Sequence, residues 1–221
     1  MATTTATGSA AGAKAPGRRE RKAEETRRRL LEATREQMAE GGPESITIQS
    51  ITAKADIGQG TFYNYFESRD AVIDAVILDM VETLGQRLDV LTHGMSDAAE
   101  IYSFSTRHLM HTAVSDPVWG WLVVRLGIAQ EGLIGALGPR ASRDIQIGVD
   151  SGRFTVEDVS IASAMTFGSL LSVMQAYLQS DRKSDPSELY AENLLRMVGI
   201  SPTEAHEIAN RPLPTLPESK N

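Results

Sequence analysis

Residues 47–66 read TIQSITAKADIGQGTFYNYF, and the fold follows from how their apolar positions are spaced. Thr47 is a helix-capping residue type set directly before a short run whose inward positions, at helical spacing, are Ile48, Ile51 and Ala55. The run breaks at Asp56-Ile57-Gly58. A second short helix is expected from Gln59 to Phe66, with Phe62 and Phe66 four apart on one face and Gln59, Thr61, Tyr63 and Asn64 on the others. Ile51, Ala55, Ile57, Phe62 and Phe66 then make one small shared core that holds the two helices nearly perpendicular, a helix-turn-helix. Its second helix is shaped to lie in the major groove of DNA with outward side chains at base edges, while the first crosses the backbone.

Helical spacing continues on both sides. Upstream, Leu30, Leu31, Thr34 and Met38 mark a helix from Glu25 to Glu40 that Gly41-Gly42-Pro43 stops. Downstream, Ser68 caps a long helix from Arg69 toward Leu91, in which Val72, Val76, Met80, Leu84 and Leu88 recur every four residues. The domain boundary falls inside that helix. Beyond His93-Gly94, Asp116-Pro117 opens a helix, Gly138-Pro139 interrupts one, Gly152 closes another, Thr155 caps the next and Asp185-Pro186 opens the last. No hairpin signal occurs, so the fold class is all-α.

Composition narrows the function classes. A hydrophobic fraction of 41% and a charged fraction of 23% belong to an ordinary soluble globular chain. The absence of cysteine excludes disulfides, thiolate metal sites and thiol catalysis, and agrees with a reducing compartment. Met1 to Gly17 is rich in Ala, Thr, Gly and Ser without an apolar run, so it reads as a disordered tail, and the cytoplasm is the expected location. Ile161 to Ser180 is uncharged and long enough to raise a membrane span. Its eight polar or small residues, Ser163, Thr166, Gly168, Ser169, Ser172, Gln175, Gln179 and Ser180, favour a helix packed against protein, so no membrane partner is expected. Charge is uneven: residues 1–70 hold 11 basic and 10 acidic side chains, net +1, whereas residues 71–221 hold 11 and 19, net −8. Within Lys14 to Arg29, eight basic residues face three acidic ones, a local +5 suited to phosphate neutralisation. A solvated helix face is the plainer reading of the same run.

The motif resembles the tetracycline-repressor (TetR) family, whose threonine-hydrophobic pattern, short turn and Gly-Thr-hydrophobic-Tyr-x-aromatic-Phe run match Thr47 through Phe66. The most diagnostic part is Gly60-Thr61-Phe62-Tyr63-Asn64-Tyr65-Phe66, followed by Ser68-Arg69-Asp70. Carried over by position, the resemblance places Gln49, Gln59, Thr61, Tyr63 and Asn64 at base edges or thymine methyls and Thr47, Tyr65 and Arg69 at phosphates, with Gly60 also among the DNA-binding positions. Gln and Asn pair bidentately with adenine, and Thr and Tyr combine hydroxyl and apolar contact. Three positions depart from the pattern: Thr52 stands where Ala is usual, Asp56 where the turn usually holds Gly, and Gly58 where Ser or Thr usually caps the recognition helix.

The resemblance further implies a three-helix helix-turn-helix domain joined by a long helix to a helical ligand-binding and dimerisation domain. The expected bounds are 1–19 for a disordered, basic-ended tail, 20–72 for the DNA-binding domain, 73–200 for the effector and dimer domain, and 201–221 for a Pro-rich tail. Ala164, Gly168, Ser172 and Ala176 form a row of small residues that lets backbones approach, and Tyr190, Leu194, Met197 and Val198 offer an apolar stripe. Two such helices per chain would build a four-helix homodimer interface, an ordinary intramolecular core being the alternative. Tyr102, Phe104, His108, Trp119, Trp121, Met165 and Phe167 are the expected wall of an effector chamber, apolar with few polar groups. His108 and His111 have no third partner at metal-ligand spacing, and with Ser105 or Asp116 they form no nucleophile with an oxyanion site, so neither a metal, a cofactor nor enzyme activity is expected. The reading is a DNA-binding repressor of an inverted-repeat operator, released by a hydrophobic or aromatic small molecule. The alternatives are a helical small-molecule-binding protein or enzyme with an incidental motif, and a non-specific nucleoid protein.

Overall fold

The computed structural model describes residues 17–129, 131–181 and 184–218, so residues 1–16 of the tail expected over 1–19 lie outside the described part. Among the described residues every regular element is helical. The chain divides into two compact units, Met1–Val72 and Ile73–Asn221.

The first unit begins with α1 (Arg18–Gly41), seven residues earlier than its apolar spacing announces. Residues 18–24 carry no apolar stripe, but Arg, Glu, Lys and Ala are strong helix formers, and the Glu20 carboxylate accepts a 2.7 Å bond from the Gly17 amide at the helix start. Arg18 and Arg19 are therefore helical and not the end of a tail. A 3-10 turn (Pro43–Ser45) leads to α2 (Ile48–Lys54). Thr47 caps α2 reciprocally: its hydroxyl accepts from the Ser50 amide at 3.0 Å, and its own amide donates to Ser50 Oγ at 3.1 Å. Asp56 takes φ 50°, the left-handed conformation the turn demands and one Asp tolerates. Helix α3 (Gln59–Phe62) is shorter than expected, because beyond it the bonds tighten to three-residue spacing, Tyr65 N to Phe62 O at 2.9 Å. Leu30, Ile51, Phe62 and Val72 are fully buried between these elements.

Helix α4 (Arg69–Thr92) follows, and Ser68 Oγ caps its start by accepting from the Ala71 amide. The second unit contains α5 (Ala98–Ser115), α6 (Pro117–Ala129), α7 (Glu131–Asp150), α8 (Val159–Leu178), α9 (Ser187–Met197) and α10 (Pro202–Ala209). Helix α5 is its centre: it packs against α6, α7, α8, α9 and α10, and twelve of its 18 residues are buried.

Four expectations are corrected here. Gly138-Pro139 does not interrupt a helix; Pro139 lies inside α7, whose packing against α5, α6 and α8 outweighs the lost amide. Asp158, not Thr155, caps α8 by accepting from the Ile161 amide at 3.0 Å, while the Thr155 amide bonds the Val198 carbonyl. Asp185-Pro186 does open α9, but α9 is not last. Residues 201–221 are no mere tail: Ser201 caps α10, Pro202 fills its first turn, and Ala205, Ile208 and Ala209 are fully buried. Short apolar content next to prolines hid that helix from the sequence reading.

After α10, residues 211–217 run without regular structure. Two arginines fasten this strap by its main chain: Arg107 Nη1 donates to the Arg211 carbonyl at 2.6 Å and Arg87 Nε to the Pro217 carbonyl at 2.7 Å. One glycine is required by close approach: a Cβ on Gly148 would lie 2.0 Å from Phe154 Cδ2.

Candidate DNA interface and effector cavity

In the first unit, burial of Phe62 and Phe66 decides which side chains face outward. The Phe62 and Phe66 rings lie 5.8 Å apart between centroids, and the Arg27 guanidinium sits 5.7 Å from the Phe66 centroid. Arg29 of α1 donates to the Ala55 carbonyl and, at 3.1 Å, to the Asp56 carbonyl, so it closes the C-terminus of α2 and the turn together. With that scaffold fixed, Gln49, Gln59, Gly60, Tyr63 and Asn64 are exposed, Tyr63 at 59%, and Thr61 and Tyr65 are half-buried. Nothing lies within 4 Å of where a Gly60 Cβ would stand, so close approach there comes from outside the chain or not at all. Thr47 is exposed but its hydroxyl is engaged as the α2 cap. Arg69 is half-buried and donates to the Pro43 carbonyl at 2.6 Å, which ties α4 to the 3-10 turn. Thr52, the departure at the helix crossing, is buried and returns its hydroxyl to the Ile48 carbonyl at 2.8 Å, leaving no unpaired polar group.

In the second unit, α4, α5, α7 and α8 enclose a cavity of about 50 Å³. One side is apolar, with Leu88, Leu109, Leu137, Phe167 and Leu170. The other is a charged lattice. Arg140 grips Glu82 with two bonds of 2.8 and 2.9 Å and reaches Asp89 at 2.9 Å. Arg143 contacts Asp89 and Asp144, each at 2.8 Å. Hydrogen bonds from Arg140 hold the Glu82 carboxyl below its ordinary range and the guanidinium above its own. Burial pushes the Asp144 carboxyl up, against the pull of Arg143. Asp89 Oδ1 lies 2.8 Å from Arg143 Nη2 and, as a carboxylate oxygen with a second lone pair, keeps acceptor capacity. With Glu82 behind Arg140, the two guanidiniums of the wall are fully matched by carboxylates.

Four hydroxyls lead outward from this cavity. Tyr102 Oη meets Thr166 Oγ1 at 2.5 Å, Tyr190 Oη donates to the Thr166 carbonyl at 2.8 Å, and Ser169 Oγ lies 3.1 Å from Tyr190 Oη. Burial pushes both tyrosine hydroxyls above the ordinary phenol range, so they stay protonated.

Of the expected chamber residues, Tyr102 and Phe167 line the cavity. Phe104 and Trp119 are buried elsewhere in the core, and His108 lines a different groove. Trp121 and Met165 are 40% and 54% exposed and belong to the surface, because the buried faces of α6 and α8 are carried by Leu122, Val123, Phe167 and Leu171 instead. The sequence reading missed Asp89, Arg140, Arg143 and Asp144; charges three and four apart in α7 were the available signal, but such spacing ordinarily marks a solvated face.

Ala164, Gly168, Ser172 and Ala176 are all exposed, as are Ile161 and Met165, so α8 presents an unpartnered stripe of small and apolar residues. By length and composition α8 is apolar enough to cross a bilayer, yet Ala162, Phe167, Leu170 and Met174 bury its other face in the chain's own core. Tyr190, Leu194 and Val198 are buried within the chain, where α9 packs on α5 and α10, so they do not form an outer stripe. The outward side of α9 is Leu189, 64% exposed, with Asn193, and Met197 is half-buried.

Comparison with known proteins agrees with both units. Residues 97–211 match the family described as "Tetracyclin repressor-like, C-terminal domain", and residues 30–76 match "Bacterial regulatory proteins, tetR family". The HTH-type transcriptional regulator UidR of Escherichia coli (strain K12) is 41% identical over 56 residues, which are 25% of this chain and 29% of that protein. The chain thus spans under a third of the length of that relative. Among solved structures, RolR (NCGL1110) in complex with resorcinol superposes with a TM-score of 0.80 at 43% identity, covering 89% of this chain and 99% of RolR. The fold alone is shared with FadR from Bacillus subtilis in complex with stearoyl-CoA, at a TM-score of 0.60, 19% identity, and coverage of 79% and 99%.

Proposed function

Because the chain belongs to the tetracycline-repressor (TetR) family, we propose that it is a homodimeric repressor that binds an inverted-repeat operator and is released by a small, uncharged hydroxylated aromatic molecule. The observation that carries the first half is the exposed polar set Gln49, Gln59, Tyr63 and Asn64 on a scaffold locked by Phe62 and Arg29. Gln49, Gln59, Thr61, Tyr63 and Asn64 read bases, Gly60 lets the backbone approach the DNA, and Tyr65, the Thr47 region and the basic start of α1 hold phosphates. Arg69, one of whose Nη atoms donates to the Pro43 carbonyl, is a further phosphate contact.

The effector class follows from the cavity. A lattice in which two guanidiniums are already matched by the carboxylates of Glu82, Asp89 and Asp144 has no spare positive charge to offer an anion, but it has acceptors such as Asp89 Oδ1 for hydroxyl groups. The facing Leu and Phe side chains suit a flat ring. The cavity of about 50 Å³ is smaller than such a ring, so its binding must widen the space between α4, α5 and α7. Displacement of α4, which supplies Leu88 and Asp89, is the transmitting step. The exposed Ala164, Gly168, Ser172 and Ala176 stripe of α8, with Leu189 and Met197 of α9, is the dimer surface.

The test is footprinting on the DNA beside the gene, followed by titration with resorcinol. Protection of an inverted repeat that disappears with resorcinol supports the reading. Uniform weak binding that resorcinol leaves unchanged overturns it.

A further inference from the structure

We propose that the groove between α5, the start of α9 and the C-terminal strap is a second small-molecule site, one that takes an organic monocarboxylate. The groove has a volume of about 620 Å³ and lies on the opposite side of α5 from the cavity described above: Ser105, Thr106 and Leu109 line the cavity, whereas Arg107, His108 and His111 line the groove.

Two buried side chains in its wall keep unfilled polar atoms. Arg107 is 3% exposed and its Nε has no partner; His108 is 6% exposed and its Nε2 has none. Nη1 of Arg107 is taken by the Arg211 carbonyl, and the carboxylate nearest to Nη2, that of the exposed Glu188, stands 3.4 Å away. The other carboxylates at the groove are committed: Asp185 lies 2.6 Å from His111 Nδ1, and Glu100 pairs with Arg211. Arg87, the third arginine of the wall, donates to a carbonyl, that of Pro217.

The ion pair of Arg107 with Glu188 is long and its carboxylate half exposed, and Nε is left over; a bound carboxylate adds a closer partner in a geometry that a guanidinium matches with two bonds. The remaining wall is apolar, contributed by Leu213, Pro214 and Leu216 of the strap. A charged head against Arg107 and Arg87 with a compact apolar body against the strap is the chemistry this lining recognises. It differs from the cavity, whose matched guanidiniums favour a neutral ligand, so the two sites discriminate by charge.

The experiment is isothermal titration calorimetry of the full chain with benzoate, benzyl alcohol and inorganic phosphate. Benzoate is expected to bind one per chain, with benzyl alcohol roughly tenfold weaker or worse, the loss of one charge-assisted contact. Arg87→Gln, at the half-buried rim, is expected to weaken benzoate at least tenfold, and Arg87→Lys to recover part of that loss. Arg107→Gln should act more strongly, but Arg87→Gln decides the matter if removal of a buried guanidinium prevents folding. The proposal is overturned by any of four results: no saturable benzoate heat, equal affinity for benzyl alcohol, phosphate binding more tightly than benzoate, or benzoate affinity unchanged in Arg87→Gln. The last would place benzoate outside this groove, and none of the four touches the DNA-binding reading.

Discussion

Replacing Phe62 with Ala tests whether one aromatic ring holds the DNA-reading unit together. The side chain is fully buried against Ile51, Ala55 and Phe66, and its ring stacks edge-on with Tyr63 at 5.5 Å between centroids. Truncation of a buried Phe costs about 3–5 kcal/mol, because the transfer energy of the ring is lost and a void remains. The described part of the first unit is residues 17–72, and at ~0.05–0.15 kcal/mol per residue its whole stability is only about 3–8 kcal/mol. Phe62→Ala therefore removes about half of it or more, and a substantial fraction of the unit is unfolded at 37 °C. The second unit, whose core does not include Phe62, keeps its structure. Differential scanning calorimetry should show a low-temperature transition moved down or absent beside an unchanged one, and gel-shift affinity for the operator should fall at least a hundredfold while effector binding by calorimetry is unaltered. Phe62→Leu, which keeps most of the volume, should cost less than about 1.5 kcal/mol. Were Phe62→Ala to bind its operator like the parent, the compact core that aims Tyr63 and Asn64 would be wrong.

Four other outcomes are expected. Tyr63→Ala or Asn64→Ala should weaken the cognate operator by roughly 1–3 kcal/mol and leave random DNA nearly unaffected, as measured by competition gel shift; an equal loss on both would contradict base reading. Changing Arg18, Arg19, Arg21 and Lys22 to Gln should flatten the dependence of affinity on salt without altering site preference, seen as a shallower slope of log affinity against log salt. Gly168→Arg, on the exposed stripe of α8, should shift the protein toward monomer in analytical ultracentrifugation without lowering helicity. Burial, opposed by a hydrogen bond with the Pro214 backbone and aided by the nearby guanidiniums of Arg107 and Arg87, holds the His108 imidazole down at about 4. The unfolded chain then binds the proton first, so stability is full above about pH 6.5 and falls as pH drops from there toward 4, by at most about 3 kcal/mol. His108→Gln should flatten urea stability across that window; an unchanged slope would show the imidazole to be solvated.

The DNA-reading unit was legible because its signals are local. Thr47, Asp56, Phe62 and Ser68 act on neighbours within a few residues, and spacing alone exposes such roles. The early start of α1 was not legible, since helix formers without an apolar stripe leave no periodic mark. The cavity was half legible: Tyr102 and Phe167 are apolar residues of the sort a chamber needs, but Asp89 and Arg140 meet across 51 positions of sequence, a pairing that only the packing of α4 against α7 creates. Tyr190, Leu194 and Val198 show what a periodic stripe leaves open: it says that a face is covered and not by how many helices, and here α5 and α10 share that face with α8, which Tyr190 reaches through Thr166 and Ser169.

The strap fastened by Arg87 and Arg107 has a property that side-chain contacts lack. Its two anchors grip carbonyl oxygens, which all twenty amino acids possess, so replacing Arg211 or Pro217 leaves the acceptors in place. What the anchors do measure is the six-residue interval between positions 211 and 217. Drift in the composition of that segment is tolerated, whereas inserting or deleting one residue in it puts the second carbonyl out of register with its arginine.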